Sequence, residues 1–212
     1  MSELFERDGV VGDLHRPDGD PTAALLLAHG AGGDRNAKLL QRAASEFAAR
    51  GLLVLRYDLP FRQRRPKGPP SPSTAAKDRD GIVAASDAIH ELFTGTLLLG
   101  GHSYGGRQTS MLAAERPGVC DGLLLFSYPL HPPGKPEKAR TEHLPDLRCP
   151  TVFVHGTRDP FGSPDEMHAA VELIPAPHTL VLVEGRGHDL APDRSPAVPL
   201  AVEAATAAFA LR

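Results

Sequence analysis

One stretch of the chain combines a potential nucleophile with the backbone freedom to present it. Gly100-Gly101-His102-Ser103-Tyr104-Gly105-Gly106 places Gly101, Ser103 and Gly105 in the spacing G-x-S-x-G. It directly follows the apolar run Thr96–Leu99 and precedes a helical pattern. A strand turning sharply into a helix strains its central residue, and glycines two positions away on either side let neighbouring backbone pass without Cβ clashes. The hydroxyl then stands above a helix N-terminus, where negative charge is favoured. A serine hydroxyl is a weak nucleophile alone and needs a base, itself oriented by a carboxylate. On a strand-turn-helix nucleophile these follow in the order Ser, acid, His. Asp159 lies in His155-Gly156-Thr157-Arg158-Asp159-Pro160, just past the run Thr151–Val154. His188 lies in Glu184-Gly185-Arg186-Gly187-His188, just past Thr179–Val183. Asp165 and Asp189 are the alternative acids, but Asp165 is expected to open a helix and Asp189 adjoins the base. Of ten histidines, His188 is preferred because its glycine neighbours allow a tight loop. His155 is expected to be a packed structural residue, and the His102 side chain is expected to point away from the path of Ser103.

Acyl transfer also places negative charge on the carbonyl oxygen, which two preorganised N–H groups should meet. The backbone N–H of Tyr104 is one candidate. The loop His29-Gly30-Ala31-Gly32-Gly33, after the run Ala23–Ala28, supplies the other: Ala31 first, Gly32 second. A phosphate-cradling loop fits less well, because neither G-x-x-x-x-G-K-[ST] nor G-x-G-x-x-G is present.

These groups need a frame that brings distant segments to one edge. Short apolar runs recur at Ala23–Ala28, Leu52–Tyr57, Thr96–Leu99, Gly122–Phe126, Thr151–Val154 and Thr179–Val183. They do not alternate with polar residues, which predicts strands covered on both faces, as in a parallel sheet between helices. Helical spacing fills the intervals: Asn36–Arg50, Ala76–Phe93, a segment around Met111 stopped by Pro117-Gly118, Pro164–Leu173 and Pro199–Leu211. Strand-helix alternation predicts an α/β fold, a three-layer sandwich with a mostly parallel sheet flanked by helices. One domain over residues 1–212 is expected. Two irregular stretches, Phe61–Thr74 and Pro129–Pro145, are longer than ordinary loops and are candidates for the walls of a pocket.

Composition narrows the function. The chain has 212 residues, 41% hydrophobic and 23% charged, as in a folded globular domain. Its 23 basic and 26 acidic residues give a formal net charge of −3, without the excess of cations that draws a protein to nucleic acid or anionic membranes. No run of about 20 apolar residues could span a bilayer, and no apolar leader opens the chain; a cytoplasmic location is the expectation. Cys120 and Cys149 are expected to be reduced, partly buried thiols. No metal-ligand spacing or cofactor fingerprint appears, so no cofactor is expected. Phe61, Tyr128, His131 and Phe161 are candidate pocket walls, and Gly32 a further contact. Arg62 with Arg64, Arg65 and Lys67 is either a clamp for an anionic group or a solvated loop, the latter being favoured. The loops are too short to bury a long acyl chain, so a shallow pocket for small esters or thioesters is expected.

With these motifs in hand, the chain resembles the α/β-hydrolase superfamily over about Ala23 to Asp189. The resemblance implies Ser103 as nucleophile, Asp159 as acid, His188 as base and the loop 29–33 as the oxyanion loop, on an esterase-like fold without a separate cap domain. More narrowly, Arg56–Gln63 (RYDLPFRQ) and Ser127–Gly162 resemble a small group of hydrolases near the dienelactone hydrolases, with eukaryotic members associated with chromatin-modifying complexes. Dienelactone hydrolases proper use a cysteine where this chain has Ser103, which argues against that lactone chemistry. The function expected is a serine hydrolase acting on a small-molecule ester-type substrate. A non-catalytic interaction scaffold on the same fold, or an acyltransferase or peptidase using the same three groups, are the alternatives.

Overall fold

A computed structural model describes residues 2–211. Eight strands form one sheet: β1 (Ser2–Arg7), β2 (Val10–His15), β3 (Ala23–Ala28), β4 (Leu52–Tyr57), β5 (Thr96–His102), β6 (Gly122–Phe126), β7 (Thr151–Gly156) and β8 (His178–Val183). Their order is β1-β2-β4-β3-β5-β6-β7-β8. From β4 to β8 every neighbouring pair is parallel, while β1 and β2 run antiparallel at one edge.

The apolar runs are continuous because both faces of the central strands are covered. Leu25 and Leu27 of β3 pack with α1 (Lys38–Ala48) and α6 (Ala197–Ala208) on one side. Ala24, Leu26 and Ala28 face the other side, toward α3 (Ala75–His90), α4 (Tyr104–Glu115) and α5 (Pro164–Val171). The fold is thus an α/β-hydrolase sandwich of three layers, with no separate cap domain among the described residues.

Two elements lie outside the sequence reading. The hairpin β1–β2 has only Phe5 buried in its first strand, so no apolar run marks it. Its signal is the turn Asp8-Gly9, whose φ values of 49° and 80° suit a two-residue hairpin. The first irregular stretch also contains a short helix, α2 (Pro60–Arg64), which starts on a proline whose fixed φ suits a first helical turn.

The order of strands positions the site. Chain progression reverses between β3, which leads outward to β4, and β5, which leads the other way. Loops leaving the ends of β3 and β5 therefore diverge and leave a crevice at that switch point. Tight backbone packing closes the crevice floor: a Cβ on Gly101 would lie 2.4 Å from the Ala28 carbonyl oxygen, and one on Gly105 2.5 Å from that of His29. Both obstacles are backbone and cannot swing aside. Gly101→Ala should therefore lower unfolding free energy by about 3 kcal/mol or more, read as a lower urea midpoint.

Candidate active site

Ser103 sits between β5 and α4 with φ 52° and ψ −117°. A non-glycine residue held there is strained, and the surroundings impose it: Ser103 N–H donates to the Phe126 carbonyl at 2.9 Å, while its own carbonyl accepts the Arg107 N–H at 2.9 Å. The loops after β7 and β8 bring two further groups to the same edge. Ser103 Oγ and His188 Nε2 are 2.8 Å apart, and His188 Nδ1 is 2.8 Å from Asp159 Oδ2. These partners assign the tautomer: Nδ1–H donates to the carboxylate, leaving Nε2 to accept the hydroxyl proton.

Asp159 is held on both sides. Its Oδ1 accepts the Phe161 N–H at 2.9 Å, and its side chain is wholly buried. Asp165 instead lies in the first turn of α5, and the exposed Asp189 accepts the Ala191 N–H. The Phe161 ring lies 4.3 Å from that of His188 and forms one wall of the hollow beside Ser103.

Three other histidines form the frame. His155 is fully buried and its Nε2–H donates to the Gly162 carbonyl at 2.9 Å. His102 packs under the base: its ring is 5.1 Å from that of His188 and its Nε2–H donates to the His188 carbonyl at 2.9 Å. Burial lowers its pKa to about 4, so at neutral pH it supports His188 without adding a competing positive charge. His29 Nδ1–H donates to the Gly30 carbonyl and its Nε2 accepts the Leu59 N–H. Burial likewise lowers its pKa.

The loop 29–33 brings Ala31 beside Ser103 and Tyr104 in the hollow. Gly32 is exposed and does not line it. Arg62 holds this loop. Its Nε donates to the Gly33 carbonyl at 2.8 Å and its Nη2 to the Ala31 carbonyl at 3.0 Å. Contrary to both sequence expectations, Arg62 neither faces the hollow nor lies in water, but braces the loop from behind. Arg64, Arg65 and Lys67 are exposed. Phe61 is buried between His29 and Tyr104, so it is core beneath the loop and not a wall. Tyr128 is buried with its hydroxyl donating to the Arg140 carbonyl at 2.6 Å. His131 is turned toward Glu166 and lines a different groove. Burial has drawn the Phe61 and Tyr128 rings inward and His131 faces another groove, so none of the three lines the hollow.

Asp78 has no place in the sequence reading, although it shares the apolar face of α3 with Ile82, Ala85 and Ile89, an anomalous position for a carboxylate. It is fully buried, accepting the Phe61 N–H at 2.9 Å and the Tyr104 hydroxyl at 2.7 Å. It thus ties α2 and the residue after Ser103 to one anchor. Among the described residues, no group of three His, Cys, Asp or Glu side chains could hold a metal ion, and no helix is long and apolar enough to cross a membrane.

The buried histidines set a pH dependence of stability. The pKa values of His102 and His143 are lowered to about 4, in each case chiefly by burial. Between the ordinary histidine value near 6.5 and about 4 the unfolded chain binds these protons and the folded chain does not, so stability rises with pH across that window. It should be complete above about pH 6.5 and lost as pH falls toward 4, by roughly 3 kcal/mol for a group shifted this far. Urea midpoints at pH 7 and pH 4.5 measure it, and a flat profile would contradict it.

A profile of alpha/beta hydrolase domains matches residues 21–210, and the chain belongs to that family. Solved structures with the same fold include a dienelactone hydrolase from Anabaena variabilis, at 21% identity over 100% of this chain and 98% of that one, with a TM-score of 0.75. An alpha-beta serine hydrolase homologue from Coxiella burnetii is similar at 17% identity over 96% of both chains, TM-score 0.76. A third, from Xanthomonas campestris, is described as a serine hydrolase without lid; it shares 20% identity over 96% of this chain and 94% of that one, TM-score 0.75.

Proposed function

We propose that the protein is a serine hydrolase that cleaves small carboxylester or thioester bonds through an acyl-enzyme. The observation that carries this reading is the unbroken chain of 2.8 Å contacts from Asp159 through His188 to a strained Ser103. In the proposed reaction Ser103 Oγ attacks the carbonyl carbon as its proton passes to His188 Nε2. Asp159 stabilises the imidazolium. The Tyr104 N–H, free of an intrahelical partner at the start of α4, and the Ala31 N–H meet the oxyanion, each donor worth roughly 3 kcal/mol in the transition state. His188 then gives its proton to the departing alkoxide or thiolate. Water repeats the sequence, releasing the acid and regenerating Ser103.

The open hollow, and the absence of a cap domain among the described residues, support small substrates, as does likeness to a hydrolase described as lacking a lid. The narrower kinship with the group that includes chromatin-complex members belongs to the same proposal, and rests on Arg56–Gln63 and Ser127–Gly162. A cytoplasmic location, with Cys120 and Cys149 reduced, is also part of it. A fluorophosphonate probe tests the central claim: it should label the wild type and not Ser103→Ala. No labelling of either, with no turnover of short esters, thioesters or aminoacyl amides, would favour the scaffold reading. Turnover of amides, or product formed only with an added acyl acceptor, would favour a peptidase or acyltransferase.

A further inference from the structure

The hollow beside Ser103 has a volume of about 440 Å³. Pro69, Pro72, Met111 and Phe161 make much of its wall apolar, yet two guanidinium groups, Arg107 and Arg140, also line it. Arg107 is four residues past Ser103 on α4, hence one turn and about 6 Å along the axis. Its Nε is buried without a hydrogen-bond partner. Arg140 Nη1 donates to the Pro129 carbonyl at 3.0 Å. No ion pair joins either group to a carboxylate among the described residues, and the exposed Glu142 only partly offsets their charge.

Two other half-buried arginines are paired with carboxylates. Arg35 bridges Asp13 and Asp58 at 2.9 and 2.5 Å, and Arg79 meets Glu115 at 2.9 Å. At the hollow, burial first and the nearby Arg107 second hold Arg140 below its ordinary pKa. Withdrawing unpaired charge from water is unfavourable unless something compensates it. The planar fork of a guanidinium matches a carboxylate.

We propose that the hollow accepts an ester or thioester bearing a carboxylate, which Arg107 and Arg140 bind while the scissile carbonyl lies at Ser103. This rests on the serine-hydrolase reading. The acid is carried either by the acyl part or by the leaving group. With monophenyl glutarate, attack by Ser103 releases phenol, protonated by His188, and water then releases glutarate.

Two substrate pairs separate these sources. Monophenyl glutarate against phenyl hexanoate places the carboxylate on the acyl side, and 3-acetoxybenzoate against phenyl acetate places it on the leaving group. In one pair kcat/KM should favour the anion by on the order of 10- to 100-fold, the range for hydrogen bonds to charged groups. Arg107→Gln or Arg140→Gln should reduce that ratio by about tenfold or more, mainly through KM, with Arg107→Lys between. Equal use of both members of each pair, or a preference untouched in both Gln variants, would overturn the proposal while leaving the hydrolase reading intact. A binding assay removes dependence on turnover. Monomethyl glutarate should raise the melting temperature of Ser103→Ala saturably, and less so with Arg107→Gln added. Absence of that stabilisation with monomethyl glutarate and with 3-acetoxybenzoate alike defeats the carboxylate site, whereas stabilisation without wild-type hydrolysis or probe labelling supports the site and defeats the hydrolase reading.

Discussion

Ser103→Ala is expected to lower kcat for any ester the wild type accepts by about a million-fold, with the melting temperature little changed. The hydroxyl contributes one contact to a half-buried position, the 2.8 Å bond to His188, so its removal has small structural consequences. Its chemical consequence is large because, among the described residues, no other side chain is hydrogen-bonded to His188 Nε2. The small rate that remains would come from the oxyanion donors acting on bound substrate attacked by water. His188→Ala should fall by a similar factor, and the double variant little further, since the two residues act as a unit. Burst kinetics with a phenyl ester give the direct measurement: the wild type should show a burst matching the enzyme concentration when deacylation is slow, and Ser103→Ala none. Turnover by Ser103→Ala within tenfold of wild type would end the acyl-enzyme mechanism.

Asp159→Asn should cost about 10⁴-fold in kcat, through the tautomer of the base. Asp159 Oδ1 accepts the Phe161 N–H and Oδ2 accepts from His188 Nδ1. The Asn side chain can keep its oxygen on Phe161 N–H only by turning its NH₂ group toward His188. Nδ1 must then accept, and the single ring proton moves to Nε2, where it faces Ser103. A protonated Nε2 cannot take the hydroxyl proton. His155 cannot restore the balance, since its Nε2 already donates to the Gly162 carbonyl. The same substitution should slow fluorophosphonate labelling strongly while leaving the unfolding free energy, read by urea, within about 1 kcal/mol of wild type, because the new side chain is isosteric and still hydrogen-bonded. Near-wild-type labelling by Asp159→Asn would assign the orienting role elsewhere.

Local chemistry determined a great deal from the sequence alone. The nucleophile turn is legible because a strained serine needs glycines at fixed offsets, and the loops after β7 and β8 are legible because apolar runs reveal strands buried on both faces. Ser103, Asp159 and His188 each follow from such local rules, although only the parallel sheet carries them to one edge. The tertiary structure alone decided which side chains face the hollow. Phe61, Tyr128 and His131 are amphipathic or apolar enough to suit a wall or a core, and the packing of α2 and the second irregular stretch assigned the first two to the interior and turned the third toward another groove. Arg62 belongs to a basic cluster indistinguishable from a solvated loop until two carbonyls of the loop 29–33 meet its guanidinium. Arg140, 37 positions from Ser103, has no local pattern to mark it, and its nearness to Arg107 follows from how a proline-rich segment folds back over α4. Periodicity reports which face of an element is covered; long-range contact decides by what.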